Sequence, residues 1–333
     1  MRLLTITALA TFASCGGPSG PHTVAYVSLD EIFSREILLA FTKQTGIEVV
    51  PRFDAEFEKT TGLMNRILQL KRRPEADVFW NNEIMNSIRL KREGVLEKYV
   101  PPTAADIPDE FKDADGTWVG FAARARVILY NTDLVKESEA PRSVYDFLKP
   151  GWRGRFAIAR PLSGTTYTHA VALFAHLGAD RANALLKGWV DNEAMIVMGN
   201  AVARNRVMDG HVAACLTDTD DANGALLQGK PVRMVFPDQG EGEMGTLVIP
   251  NTVVLIKGGP NPENGKKLVD FIASREVEAQ LAKIKGAQMP LRGGIPPYSP
   301  DFDFTKIKAM KVDWNLVADQ IPAAGPILEE VFK

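Results

Sequence analysis

The chain has 333 residues, 24% of them charged, a net charge of -2 and two cysteines. That length accommodates two domains of one architecture, and the near-neutral charge excludes nucleic acid and a polybasic membrane patch as expected partners. No run of 18 apolar residues occurs, so no membrane-spanning helix is expected.

At the N-terminus, Met1 and Arg2 precede the apolar segment "LLTITALATFA", and no acid appears before Asp30. The segment ends in "ASC" and a Gly-rich tether, "GGPSG". This resembles a bacterial lipoprotein signal and implies cleavage before Cys15 and acylation of its thiol. Phe12 stands where a branched aliphatic residue is usual, and an ordinary secretory signal is the plainer alternative. Cys215 would then be the one unmodified thiol, placed by its apolar neighbours in the core.

"HTVAYVS" is the first strand candidate. "DEIFSREILLAFTKQTG" follows as an amphipathic helix with apolar Ile32, Phe33, Leu38, Leu39 and Phe41 and a Gly46 stop. "IEVVPRF", "TTGLMNRILQLKRRP", "ADVFW" and "EIMNSIRLKREG" continue as strand, helix, strand and helix. "WVGFAARARVILYN" is a long β-rich stretch. "RFAIAR" is a strand leading into "PLSGTTYTHAVALFAHLG". "GNAVARNRVMDG" is a helix before the strand "HVAACLT". "LVIPNTVVLIKGG" is a second long β-rich stretch, and "PENGKKLVDFIASREVEAQLAK" a long helix. Alternation of strands and helices predicts largely parallel sheet covered on both faces. Long β-rich stretches near 119–130 and 246–257 bracket a central block, which predicts two lobes joined by two strands and a ligand cleft between them.

The stretch "LTDTDDANGA" sets Asp218, Asp220 and Asp221 within four positions after an apolar strand. Such carboxylates repel one another, so either a positive group or a helix start must face them. As a helix start, Asp218 or Thr219 caps and the next acids complement the dipole. As a site, at least one of Asp220 and Asp221 meets a ligand. Asp30 reads equally as the cap of its helix or a ligand contact, and "FDAEFEK", with Asp54 and Glu56, as a solvated turn or a ligand contact. Trp80, Asn82 and Glu83 follow a parallel strand, where α/β proteins bind ligands. Ser163, Gly164 and Thr165 open a helix, a position that caps and binds anions with one geometry. Arg124 and Arg126, near the first crossover, suit an anion or a bridging carboxylate. His169 reads as structural, His22 and His176 as surface residues.

The blocks "TGIEVVPRF", "PEADVFWNNE", "GFAARARVILYNTDLV", "PLSGTT", "VMDGHVAACL" and "GTLVIPNTVVLIKGGPNPENGKKLVDFIASREVEAQLA" resemble, in order and spacing, the type II periplasmic binding proteins of ABC importers. The ferric-iron-binding branch is the most similar. The resemblance implies an α/β, two-lobed fold, each lobe a mostly parallel sheet flanked by helices, with two hinge strands. Residues 1–20 would be signal and tether, 21–122 plus 253–333 one lobe, and 123–252 the other. It implies a monomer in the cell envelope or periplasm, tethered through Cys15, delivering solute to permease and ATPase subunits. The family's metal-gripping tyrosine pair falls at Asp220 and Asp221, a departure from its pattern. Its first-strand ligand falls near Asp30, its second-strand carboxylate near Asp54 or Glu56, and its anion turn at Ser163, Gly164 and Thr165 with Asn200.

The expected function is capture of a cation, with Fe(III) in an all-oxygen cage and carbonate or phosphate as a synergistic anion. One alternative is an organic cation such as a polyamine or thiamine-like molecule, held by the same acids with Trp80 as a cation–π face. Another is a phosphate-bearing solute on "SGTT" with Arg124, Arg126 or Arg160. A distant alternative is an Mg²⁺-dependent phosphatase with Asp218 as nucleophile and Asp220 as general acid. That motif lies mid-chain, without the context such enzymes require.

Overall fold

The structure is a computed structural model and describes residues 20–53 and 61–333. The expectations at Cys15, Asp54 and Glu56 lie outside the described residues. In chain order the elements are β1 (His22–Val27), α1 (Glu31–Thr45), β2 (Glu48–Phe53), α2 (Thr61–Gln69), β3 (Val78–Asn81), α3 (Ile84–Arg92) and β4 (Val119–Asn131). After these come β5 (Phe156–Ala159), α4 (Gly164–Leu177), α5 (Ala179–Asp191), β6 (Met195–Val197), α6 (Asn200–Met208), β7 (Ala214–Asp218), α7 (Thr219–Leu227) and β8 (Val232–Val235). The chain closes with β9 (Val248–Leu255), α8 (Pro262–Ile272), α9 (Arg275–Lys283) and α10 (Trp314–Val331).

The strands run in the order β2-β1-β3-β9-β4-β7-β5-β6, with β8 also paired to β4. Parallel pairing joins β1 to β2 and β3, and β5 to β6 and β7. Between these two parallel groups run β9 and β4, antiparallel to each other and to the neighbours they meet. The result is an α/β sheet of two parallel groups bridged by an antiparallel pair, as the alternation of strands and helices predicts. β4 makes the joint: its residues up to Ala125 pair with β9, and from Arg126 they pair with β7. All 13 of its residues are buried, so it is covered on both faces along its whole length.

Local sequence explains the elements that position the site. α1 buries Ile37, Leu38 and Phe41 and stops at Gly46, whose left-handed φ of 71° lets its N–H reach the Thr42 carbonyl. Ile32 and Leu39, expected on its apolar face, point outward. α10 packs on α3, α4 and α5 and so touches helices of both parallel groups. Among the described residues, no helix is long and apolar enough to cross a membrane.

Asp77, just before β3, is fully buried and ties three segments together. It accepts from the Val24 N–H at 2.8 Å and the Thr23 hydroxyl at 3.1 Å on β1, and from the Asn261 N–H at 2.5 Å at the start of α8. Removing the carboxylate orphans these donors. Asp77→Ala is expected to lower stability by about 3 kcal/mol in urea unfolding, with an unchanged slope.

Candidate functional site

Five of the charged residues singled out by sequence, Arg124, Arg126, Asp218, Asp220 and Asp221, meet at the C-terminal end of β7. β7 ends at Asp218, which lies directly across from Arg126 on β4. Arg124 and Arg126, two apart on one strand, share a face. Arg126 Nη1 donates to Asp218 Oδ1 at 2.5 Å, and Arg124 Nη1 to Asp218 Oδ2 at 3.4 Å. Thr165, in the first turn of α4, donates its hydroxyl to the same Oδ2 at 2.6 Å, and the Asn200 amide at the start of α6 does so at 3.0 Å. Asp218 is therefore a node joining β4, β7, α4 and α6. Burial disfavours its charged form, but Arg126 and then Arg124 overcome this and hold the carboxyl below its ordinary range.

The question posed by the clustered acids has a double answer. They do open a helix, α7, and Asp220 and Asp221 lie in its first turn, although Asp218 at the cap position makes no side-chain cap bond. They also face guanidinium groups. Asp220 accepts from Arg124 Nη1 at 3.2 Å, and Asp221 from Arg204 Nη1 at 3.5 Å and from the Thr217 hydroxyl at 3.2 Å. Among the described residues, Asp218, Asp220 and Asp221 each bring one carboxylate oxygen to within 4.8 Å of the other two. Burial raises the Asp220 carboxyl against the pull of Arg124. Burial, reinforced by the charges of Asp220 and Asp221's other neighbour Asp218, pushes Asp221 up to about 7. The pair is thus short of positive charge, while Asp218 is saturated.

Residues of the first parallel group reach the same place. Arg124 Nη2 donates to the Asn82 carbonyl at 2.7 Å. Glu83 caps α3 through the N–H groups of Met85 and Asn86 and accepts from the Thr168 hydroxyl of α4 at 2.9 Å. Burial lifts Glu83 to about 7 against those hydrogen bonds. His169, next to Thr168, is buried, and burial together with Arg126 depresses it to about 3, so it stays neutral. The side-chain nitrogens Nε of Arg124 and Arg126 and Oδ1 of Asn82 are buried with no hydrogen-bond partner.

Other expectations are placed differently. Trp80 is a core residue, fully buried with its ring 5.6 Å from Phe121, and offers no face to a solute. The cause is the doubly covered sheet: alternate residues of β3 point to opposite faces, and both faces are packed. Arg160 donates to the Phe332 carbonyl at 2.8 Å and serves the C-terminal segment, not the site. Asp30 occupies the cap position of α1 and lies outside the tight acid group. Ser163 makes no side-chain cap bond and is exposed at the start of α4, where Gly164 has a φ of 63°. Cys215 is buried in β7, and burial pushes its thiol up, so it is inert. The sequence reading missed Thr166, Thr168 and Arg204. Thr166 is a helix-start hydroxyl beside "SGT" and was legible by the same logic. Arg204 sits mid-helix, where nothing local marks it.

Residues 74–315 match the model of a bacterial extracellular solute-binding protein. The chain belongs to that family. Its members bind solutes rather than transform them, which sets aside the phosphatase alternative. The chain is 28% identical to iron uptake protein A1 of Synechocystis over 308 residues, 89% of this chain and 82% of that one. It is 24% identical to a putative 2-aminoethylphosphonate-binding periplasmic protein of Salmonella typhimurium, over 97% of this chain and 96% of the relative. Iron-bound HitA from Pseudomonas aeruginosa superposes with a TM-score of 0.83 at 25% identity, covering 94% of this chain and 99% of HitA.

Two outcomes follow from the electrostatics. Asp218→Asn leaves the buried Arg126 guanidinium without its charge partner and is expected to cost about 3–5 kcal/mol in denaturant unfolding. Asp221 ionises at about 4 in an unfolded chain and at about 7 when folded. The folded state therefore binds more protons between those values, and stability falls as pH rises through them. His169 acts in the opposite sense between about 3 and 6.5. Asp221→Asn isolates the first effect: its stability relative to wild type should rise from pH 4 to pH 7 and then level off, as read by urea melts at several pH values.

Proposed function

We propose that this chain is the cargo-capturing subunit of an ABC importer and that its cargo is a hard cation, Fe(III), taken up between two lobes. The observation that carries the reading is the three-carboxylate group within 4.8 Å, two members of which lack a full complement of positive charge. Asp220 and Asp221 are the metal-facing pair in this reading. Asp218, locked by Arg124 and Arg126, keeps the loop in place. Oxygen donors of this kind suit a hard ion. The exposed Ser163 and the first N–H groups of α4 would take carbonate or phosphate beside it. The iron-named relatives support the choice of ion. Asp30, Asp54 and Glu56 remain the candidate ligands from the opposite lobe. The switch of β4 from β9 to β7 after Ala125 supports lobes of 21–122 plus 253–333 and 123–252. The sequence around Cys15 supports a lipid tether, with permease and ATPase partners at the membrane.

A second reading is favoured by the arginines. Arg124 and Arg126 bring two buried guanidinium groups, each with an unpartnered Nε, beside the acids. A solute with an ammonium at one end and a phosphonate or phosphate at the other would use both signs of charge. The Salmonella relative named for 2-aminoethylphosphonate supports this reading.

Thermal melts of residues 21–333 with ferric citrate, Fe(III) plus carbonate, divalent metals, spermidine, thiamine and 2-aminoethylphosphonate separate the two. A ligand present at a hundred times its Kd stabilises the fold by about 2.7 kcal/mol. A shift with Fe(III) that is lost in the Asp220→Ala/Asp221→Ala double variant is the expected outcome. A shift with the aminophosphonate and none with iron replaces the first reading by the second.

A further inference from the structure

Three arginines face the acid group, and they are held differently. The side chains of Arg124 and Arg126 are 10% and 0% exposed, and both bond the locked Asp218. Arg204, on α6, is 20% exposed and bonds no part of that node. Its Nε and Nη2 donate to Asn205 Oδ1 at 3.1 and 3.0 Å, on the outer side of the helix. Only Nη1 leans inward, to Asp221 Oδ1 at 3.5 Å, the long limit of a hydrogen bond. The guanidinium is thus anchored at the surface and overlaps the acid pair with one nitrogen.

A second observation lies on α7. Gly224 sits inside this helix, where glycine is unfavourable relative to alanine. A Cβ there would stand 3.1 Å from Arg204 Nη1. The missing methyl group makes room for the guanidinium over Asp221.

We infer that Arg204 is a resident counter-ion of the cargo site, seated on Asp221 before capture and displaced by the cargo's cationic group, so that it sets the affinity threshold. A guanidinium and an incoming cation repel one another at this range and compete for one carboxylate. Multivalent ions or well-placed ammonium groups win that competition, and weakly held monovalent ions lose it. Arg204 is already bonded to Asn205 through Nε and Nη2, so releasing Asp221 gives up only the single long Nη1 contact. The inference rests on the reading that Asp220 and Asp221 receive the cargo's cation.

The test titrates Tb(III), a hard luminescent ion, and separately 2-aminoethylphosphonate into wild type, Arg204→Gln, Gly224→Ala and Asp220→Ala/Asp221→Ala. Arg204→Gln should tighten binding of the probe that wild type takes by about fivefold, the equivalent of one weak, partly exposed ion pair. Gly224→Ala keeps every charge and crowds Nη1 off its seat, so it should shift affinity in the same direction by a smaller factor. Equal or weaker binding in both variants, with binding lost in the double aspartate variant, overturns the counter-ion role and leaves the site reading intact. Undiminished binding in the double aspartate variant overturns the site reading itself. If no protein binds either probe, both fall.

Discussion

The Arg126–Asp218 pair is the contact on which the rest of the site depends. Both side chains are almost completely buried, and a charge in that position is tolerable only when paired and hydrogen-bonded. The pair lies across two neighbouring antiparallel strands, so strand register alone brings the charges together. Thr165 and Asn200 then satisfy the remaining lone pairs of Asp218 and in doing so fix the starts of α4 and α6. Two helix starts and a strand end are held by one carboxylate. Asp220 and Asp221 inherit their positions from it, since they follow on the next turn.

This division of labour explains how an acidic cluster persists next to arginines. One aspartate is spent on structure and sits well below its usual titration range. The other two are crowded by it and by each other and rise towards neutrality. Carboxylates pushed apart in this way suit either a structural ion-pair network or a site whose ligand completes the charge balance. Glu83, bonded to Thr168, belongs to the same balance from the other parallel group.

Much of the fold was legible because its signals are local. Strand–helix alternation, the Gly46 stop and the two long β-rich stretches each follow from short-range patterning. β6 and β8 were not legible, being short and only partly buried, whereas β3 and β5, four residues each, are buried throughout and stood out. α10 was not, because Pro322 and Pro326 interrupt its helical pattern. At the site, strand ends and helix starts pointed to Asp218, Asp220, Asp221, Arg124, Arg126, Thr165 and Asn200, and these residues do meet. Trp80 misled because its polar neighbours suggested an open strand end, whereas tertiary packing covers both faces of β3. Arg204 and Thr168 escaped because their relevance arises from helices crossing in space, which no spacing along the chain records.

The placement of β9 after the whole second parallel group bears on how the sheet is assembled. β3 and the first part of β4 both wait for β9 as a ladder partner, and α10 arrives later still. A nascent chain that has not yet released residues 248–331 exposes a bare strand edge on each side of a gap. Chains emerge N-terminus first, and such edges are slow to close because their contacts are distant in sequence. The order of strands thus delays completion of the central sheet until β9 has emerged, more than a hundred residues after the part of β4 that it pairs with.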